Sequence, residues 1–304
     1  MSHLSALSAP RRVFISGGGG DLGRKLTRHL LQAPWCAAVV SADLKPPHDL
    51  AAEDARVIPV AGDLCDRSAP WQAAMAGCDA VVHFAAQHPH TDASWADAGA
   101  SYDMTAALLD AALDHGVGRF VFASSNHVMG GYKDAPLASD APGFLTAALP
   151  PSPGTKWNTG TGWMDSTAYA TAKFMGERAV AAAVARAGGA LSAVNVRIGW
   201  VQPGENRPET INISGDVAFA AVPEPEDAEG RRNLKWYRNM WLSNRDFARL
   251  FEAAIAAPAT AWPAPLLTVN GVSGNTGTGW DLSPARTHLG YAPEDDLFAA
   301  LGLL

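Results

Sequence analysis

Three side chains in this sequence could together move a proton: Ser125, Tyr169 and Lys173. Tyr169 and Lys173 are four residues apart, so they would share one face of a helix. A phenol with a pKa of about 10 is a poor base at neutral pH, but a nearby ammonium group favours the phenolate. Ser125 follows an apolar run and could hold the reacting oxygen while Tyr169 accepts its proton. The Tyr-x-x-x-Lys spacing alone is common by chance, and a surface pair is its alternative interpretation.

Ser125 belongs to a run of four polar residues, 124–127, at the end of the predicted strand 120–123. Polar groups buried without partners are costly, so these side chains bond either to one another or to a substrate. Since Asn126 and His127 follow Ser125 at the rim of the sheet, we expect them to face the substrate.

A glycine-rich loop, G-x-x-G-x-x-G, follows the first apolar run and uses Gly17, Gly20 and Gly23. Glycine permits a tight turn, a close approach of the backbone to a pyrophosphate, and close packing of helix on strand. A helix beginning near Asp21 would direct free N–H groups and its positive dipole end at the phosphates. A glycine repeat by itself also fits a flexible turn, but this one lies between a strand and a helix.

Asp43 ends the second apolar run, twenty residues after Gly23. A carboxylate there accepts hydrogen bonds from both ribose hydroxyls and repels a 2′-phosphate, which favours NAD over NADP. Lys45 nearby weakens that preference, and a simple turn residue is the alternative for Asp43. Asp63 could bond an adenine amine or simply form a turn, and the small residues 85–86 would let a ribose pass close to the backbone.

Apolar runs alternate with helical patterns along the first two thirds of the chain. The predicted strands are 12–16, 37–42, 56–60, 79–84, 120–123 and 190–198. The predicted helices are 21–32, 69–76, 94–115 and 167–187. This alternation predicts an α/β fold, a Rossmann-type doubly wound parallel sheet. Two long segments, 133–165 and 202–232, are rich in proline and glycine and predict functional loops or disorder.

Taken together, these motifs resemble the extended short-chain dehydrogenase/reductase family over about residues 11–300. The segments 122–127, 197–199, 241–243, 280–283 and 288–291 look most like the uronate dehydrogenases, which oxidise the anomeric carbon of a hexuronic acid with NAD. The resemblance implies that Tyr169 is the base, that Lys173 holds the nicotinamide ribose and that Ser125 is the third catalytic residue. The implied cofactor contacts are Gly17, Gly20, Asp21, Leu22, Gly23, Asp43, Leu44, Asp63, Leu64, Phe84, Ala85, Ala86, Tyr169 and Lys173. The implied substrate contacts are Gln87, His88, Ser125, Asn126, His127 and Tyr169.

The resemblance also implies a division of the chain and an assembly. Residues 11–198 would form the NAD-binding core, and residues 199–304 would form mainly a small substrate-binding lid region within one continuous globular unit. The helices 94–115 and 167–187 would pair across a two-fold axis in a homodimer. Ser101 stands where many relatives have an asparagine that fixes the central helix.

The sequence departs from the uronate enzymes around the expected substrate. Trp200 replaces a small polar residue, and Trp236 occupies the place of the arginine that clamps the uronate carboxylate. Arg231, Arg232 or Arg238 could substitute, because a guanidinium fork suits a carboxylate. The two long segments have no counterpart in the compact uronate enzymes. A different or larger substrate therefore stays open.

Composition excludes several other classes of protein. The 304-residue chain has a formal net charge of −7, which argues against a nucleic-acid partner. It has no apolar stretch of transmembrane or signal-peptide length, and its three cysteines have no paired spacing, so we expect a soluble cytoplasmic protein with reduced thiols. No metal is predicted, because the His-Pro-His sequence at 88–90 lacks a third ligand at suitable spacing.

The residues leave alternatives to a carbohydrate dehydrogenase. A sugar-nucleotide epimerase or dehydratase would keep its NAD tightly bound and return the hydride to its substrate. Many epimerases carry a tyrosine at the position of Met129, and dehydratases often place an acid pair where this chain has Asn126 and His127. A non-catalytic NAD-sensing protein on the same fold is the third hypothesis.

Overall fold

The computed structural model describes residues 11–87, 92–158, 162–212, 225 and 227–304. Its described strands are β1 Arg12–Ser16, β2 Ala38–Asp43, β3 Val57–Ala61, β4 Ala80–His83, β5 Arg119–Ser125, β6 Lys156–Asn158, β7 Trp163–Asp165, β8 Ser192–Ile198 and β9 Leu266–Gly271. Seven of them form a parallel sheet in the order β3-β2-β1-β4-β5-β8-β9, and β6 pairs with β7 in an antiparallel hairpin. The strand order reverses between β1 and β4, where doubly wound sheets bind their ligands at the carboxyl ends of the strands.

Helices cover both faces of this sheet. The described α-helices are α1 Asp21–Leu30, α2 His48–Glu53, α3 Trp71–Ala74, α4 Trp95–Asp114, α5 Thr167–Arg186, α6 Ala228–Asn239, α7 Asn244–Ala256 and α8 Leu297–Ala300. Val13 and Ile15 of β1 belong to the apolar cluster formed with α1 and α7, whereas Phe14 between them belongs to the cluster formed with α4 and α5. Both faces of the strand are therefore buried, which explains why its sequence is apolar without alternation.

A third apolar cluster includes Trp157, Tyr237, Trp241 and Trp280. Its members come from both sides of residue 198, so the two predicted regions, 11–198 and 199–304, share one apolar cluster. The division of the chain at residue 198 stays a prediction. In the part of the chain that the structure describes, no helix combines the length and hydrophobicity that a bilayer span requires.

The two segments predicted as loops contain regular structure. The β6–β7 hairpin lies within 133–165, and α6 begins at Ala228, inside 202–232. Asp227 caps α6 by accepting a hydrogen bond from the Gly230 backbone N–H at 2.6 Å. The start of α6 was not predicted from the sequence, because the residues before it are rich in proline and glutamate and have the composition of a loop. Residues 213–224 and 226 of this segment lie outside the described residues.

Candidate active site

The candidate site lies at the carboxyl edge of the sheet. The glycine loop follows β1, His83 ends β4 and Ser125 ends β5. Tyr169 and Lys173 lie in the first two turns of α5, which packs against β5 and α4. The topology thus brings together residues that are far apart in the sequence.

The glycine loop has backbone geometry that side chains would disturb. Gly17 has a φ of +73°, and a Cβ at Gly23 would lie 2.4 Å from the Gly17 carbonyl oxygen. A Cβ at Gly18 would lie 1.9 Å from Ser41 Oγ. Gly20 is the N-cap of α1 and offers no side chain to cap it, so the first turn suits an anionic phosphate.

Asp43 connects this loop to the end of β2. Its Oδ2 accepts a hydrogen bond from the Gly19 backbone N–H at 3.0 Å, and its Oδ1 accepts one from the Lys45 N–H at 2.9 Å. A carboxylate retains further lone pairs for ribose hydroxyls. The glycine loop, the N-terminus of α1 without a side-chain cap, and the Asp43 carboxylate together fit NAD.

Several residues implied as cofactor contacts use their side chains for packing or for bonds within the protein. Leu22, Leu64 and Phe84 contribute to the apolar clusters, and Ala85 lies against Gly17. The Asp21 carboxylate forms an ion pair with Lys25 at 2.6 Å, and the Asp63 carboxylate accepts a hydrogen bond from the Cys65 N–H at 2.9 Å. Leu44 is 69% exposed, and Ala86 is half-buried. Contacts of these residues with NAD remain a prediction.

The Ser125 hydroxyl group faces the Tyr169 hydroxyl group and, as a hydrogen-bond donor to it, favours the phenolate. Burial raises the pKa of Tyr169, and the bond from Ser125 opposes that shift. We expected the ammonium of Lys173 to lower this pKa, but desolvation dominates. Lys173 Nζ lies 5.9 Å from the centre of the Tyr169 ring and donates a hydrogen bond to the Ala123 carbonyl at 2.8 Å.

Lys173 is buried on the same face of α5 as Tyr169. Its burial lowers the pKa of the ammonium group to about 8. Ser125, Tyr169 and Lys173 therefore converge at one place, and their catalytic roles remain a prediction.

The four polar residues 124–127 bond to other elements of the protein. Ser124 Oγ donates to Glu177 Oε1 at 2.6 Å, and Asn126 Nδ2 donates to Met240 Sδ at 2.8 Å. Asn126 is buried, and this contact leaves its Oδ1 as the atom for the predicted bond to a substrate. Sequence reasoning missed Glu177 and Met240, although Glu177 lies one helical turn after Lys173 on the same face.

His127 is held beside Tyr169, with their ring centres 5.9 Å apart. Its Nδ1 forms hydrogen bonds with Ser166 Oγ at 2.8 Å and with Thr155 Oγ1 at 3.2 Å. Burial lowers the pKa of His127 to about 4, so the ring is neutral at physiological pH. Sequence reasoning missed Thr155 and Ser166, because nothing in their local sequence marks them.

The remaining predicted substrate contacts are less defined. Gln87 is exposed, and its backbone N–H donates to Ser101 Oγ at 3.0 Å. His88 and the rest of the His-Pro-His sequence lie outside the described residues. Among the described residues, no group of three or more His, Cys, Asp or Glu side chains could hold a metal ion.

The departures from the uronate enzymes lie in or against the third apolar cluster. Trp236 packs on Trp280 with ring centres 5.4 Å apart, and Trp200 packs on Tyr237 at 5.6 Å. The arginines predicted to replace the carboxylate-binding arginine already have interaction partners within the protein. Arg232 donates to Asp134 at 2.8 Å, and Arg231 and Arg238 each have an interaction partner.

Comparisons with known proteins agree with this geometry. A sequence model of the NAD dependent epimerase/dehydratase family matches residues 13–207. NAD-dependent glucose-6-phosphate dehydrogenase from Haloferax volcanii is 29% identical over 293 residues, which cover 93% of each chain. L-arabinose 1-dehydrogenase (NAD(P)(+)) from the same organism is 28% identical over 300 residues, covering 94% of this chain and 97% of its own.

Among solved structures, a tyrosine-to-alanine variant of uronate dehydrogenase from Agrobacterium tumefaciens in complex with NAD is similar in fold. It is 26% identical, has a TM-score of 0.62, and the match covers 95% of this chain and 86% of that one. The family match spans more than half of the chain and includes the glycine loop, Ser125, Tyr169 and Lys173. This chain therefore belongs to the NAD dependent epimerase/dehydratase family.

Proposed function

We propose that this protein is a dehydrogenase that uses NAD to oxidise a hydroxyl group of a sugar, a uronate-like sugar acid or a related carbohydrate. The convergence of Ser125, Tyr169 and Lys173, at the same carboxyl edge of the sheet as the glycine loop, carries this proposal. The names of the relatives support the substrate class, since they cover a sugar phosphate, a pentose and a uronate.

Each residue has one task in this proposal. Asp43 would accept hydrogen bonds from the adenosine ribose, and the first turn of α1 would bind the phosphates. Bound NAD would supply the acceptor for the hydride that leaves the substrate carbon. Ser125 would hold the substrate hydroxyl, Tyr169 would take its proton, and Lys173 would hold the nicotinamide ribose.

The neutral ring of His127 fits a role in orienting the substrate. Its Nδ1 is held by Ser166 and Thr155, so the ring has a fixed position beside Tyr169. With a pKa of about 4, it can exchange hydrogen bonds with sugar hydroxyls without adding charge to the site.

Purified protein incubated with NAD and single sugars tests this function. The panel contains L-arabinose, D-glucose, glucose 6-phosphate, D-glucuronate and D-galacturonate, and the absorbance of NADH is followed. We expect NADH to accumulate with at least one of them. A changed sugar without net NADH, measured with sugar nucleotides as well, would favour the epimerase or dehydratase alternative.

Tyr169→Phe tests the assigned base. We expect turnover to fall by at least about a thousandfold, because proton transfer loses its acceptor, while the Kd for NAD stays nearly unchanged. Tyr132→Phe is the matched control, because it likewise removes one phenol hydroxyl group, which in Tyr132 donates a hydrogen bond to the Pro150 carbonyl. Full activity of Tyr169→Phe would remove Tyr169 from the mechanism.

We also propose that the protein is a cytoplasmic homodimer. Cys36, Cys65 and Cys78 are free thiols, which suits a reducing compartment. Trp95 on α4 is 65% exposed and Met175 on α5 is 44% exposed, and these two helices pack side by side. A second copy would cover these apolar side chains.

A further inference from the structure

A buried network of Ser124, Glu177 and Arg197 joins β5, α5 and β8, and the first two of these elements carry the candidate catalytic residues. On the basis of the proposed function, we propose that Ser124, Glu177 and Arg197 are positioning residues that hold α5 in register with β5. They would act through Ser125, Tyr169 and Lys173 rather than by touching the substrate.

The contacts of Glu177 are short and shielded from water. Its Oε1 accepts hydrogen bonds from Ser124 Oγ at 2.6 Å and from Arg197 Nε at 2.9 Å, and its Oε2 accepts one from Arg197 Nη2 at 2.9 Å. The side chains of Arg197 and Glu177 are only 4% and 6% exposed. The carboxylate thus binds one group from each of two neighbouring strands.

The placement of these residues connects them to the site. Ser124 and Arg197 are paired in register between β5 and β8, and Ser125 follows Ser124 directly. Glu177 is one helical turn beyond Lys173 and two beyond Tyr169 on α5. Helix α5 is therefore bonded to β5 at two successive levels, by Lys173 to the Ala123 carbonyl and by Ser124 to Glu177. Together these two bonds limit both the rotation and the sliding of the helix on the strand.

Arg197 extends the same network to the substrate side. Its Nη1 lies 3.2 Å from Met129 Sδ, in the 3-10 segment Asn126–Lys133 that begins directly after Ser125 and contains His127. Arg197 of β8 therefore contacts both α5 and the segment that carries the predicted substrate residues.

Energetics favour a geometric role over a purely stabilising one. A buried ion pair often contributes little net stability, because desolvation of both charges offsets their attraction. Removing one partner leaves an uncompensated buried charge and strongly destabilises the fold, so variants of Glu177 or Arg197 could fail to fold. Ser124→Ala breaks only the link to β5 and leaves the ion pair intact, so it is the better probe.

Ser192→Ala is a matched control for this variant. Ser192 is also buried, lies on β8, and accepts a hydrogen bond from an arginine, Arg119 Nε, at 2.9 Å. It pairs with Arg119 at the opposite end of the strands, away from the candidate site. Ser124→Thr keeps the hydroxyl and provides the conservative rescue.

The experiment measures kcat, KM, the Kd for NAD and the thermal unfolding of all three variants. For Ser124→Ala we expect kcat to fall about 10- to 100-fold, because small misplacements of reacting groups have effects of this size, with the Kd for NAD little changed. Ser192→Ala should lower Tm by a similar amount but keep wild-type kcat, and Ser124→Thr should recover most of the lost kcat. Wild-type kcat in Ser124→Ala, or an equal loss in Ser192→Ala, would overturn the proposal.

Hydrogen–deuterium exchange gives a second readout that needs no substrate. Ser124→Ala should speed amide exchange in the first turns of α5, whereas Ser192→Ala should not. Unchanged exchange there would overturn the proposal even if the wild-type protein oxidised none of the sugars. A wild-type protein inactive on the whole panel would instead contradict the proposed function.

Discussion

Burial decides the charge state of the titratable groups around Tyr169. It lowers the pKa of Lys173 to about 8, of His127 to about 4 and of His83 to about 3. His83 is fixed between Ser16 Oγ at 2.7 Å and Thr105 Oγ1 at 2.9 Å, and Lys173 nearby disfavours its protonation further. The ammonium group of Lys173 therefore lies beside the phenol of Tyr169, whose pKa is raised by burial.

The buried ammonium of Lys173 should lower the stability of the folded protein. An unfolded lysine has a pKa of about 10.4, so between about pH 8 and this value the unfolded chain binds more protons and stability rises with pH. Below about pH 8 the full cost, on the order of 3 kcal/mol, is present. Lys173→Met should therefore raise Tm at neutral pH, flatten the pH dependence of unfolding above pH 8 and abolish turnover.

Thermal unfolding across this pH range, with NADH formation assayed in parallel, checks that expectation. Lys235→Met, which changes an exposed lysine paired with Asp140, is the control and should leave both properties nearly unchanged. A Lys173→Met protein that is less stable than wild type at neutral pH would show that burial of this ammonium carries no net cost.

At the scale of elements, close packing between the glycine loop and β2 shapes the cofactor site. Ser41 lies on β2 two residues before Asp43, so both side chains project toward the loop, one against Gly18 and the other bonded to Gly19. Ser41 Oγ is buried and has no hydrogen-bond partner in the structure. Ser41 therefore affects the loop by filling the space against Gly18 and not by forming a hydrogen bond.

Gly18→Ala should displace the loop and weaken NAD binding. The new Cβ would meet Ser41 Oγ at 1.9 Å, and a contact this short forces the backbone to move. We expect the Kd for NAD to rise at least about tenfold, because the phosphate contacts depend on this backbone. Ser41→Ala alone should bind NAD normally, since it removes an unpaired hydroxyl.

The double variant Gly18→Ala/Ser41→Ala should recover part of the lost affinity. Without Oγ, the nearest atom of residue 41 to the new methyl group is Cβ at 3.0 Å. Isothermal titration with NAD measures all three variants. Equal affinities of the single Gly18 variant and wild type would mean that the loop tolerates this side chain.

The elements that sequence could predict are those whose patterns are local. The seven strands of the sheet are short buried runs, and six of them were predicted to within two residues of their observed bounds. The last strand, β9, was not predicted, and neither were helices α2, α6, α7 and α8. For α6 the residues before the helix have the composition of a loop. The contact of Gly18 with Ser41 was also missed, because the glycine pattern treats position 18 as free.

At the scale of the whole molecule, the site depends on contacts across long sequence distances. The partners of His127 and Asn126 lie 28, 39 and 114 residues away, at Thr155, Ser166 and Met240. No local pattern encodes such pairs, whereas the glycine loop and Tyr-x-x-x-Lys could be recognised because each lies within one short segment of the sequence. The predicted membership of the extended family is confirmed by the match over residues 13–207. The direction of the Tyr169 pKa shift was not readable, because it depends on burial by the whole fold.

The exposed apolar side chains of α4 and α5 lead to the last prediction. If a second copy covers this face, Met175→Glu would place a charge inside the interface and should convert the dimer to a monomer. Leu137→Glu is the control, because Leu137 is 42% exposed but belongs to the segment after Lys133 and to neither helix. Sedimentation velocity over a range of concentrations measures both variants. A monomeric wild-type protein, or equal dissociation in both variants, would exclude α4 and α5 as the interface.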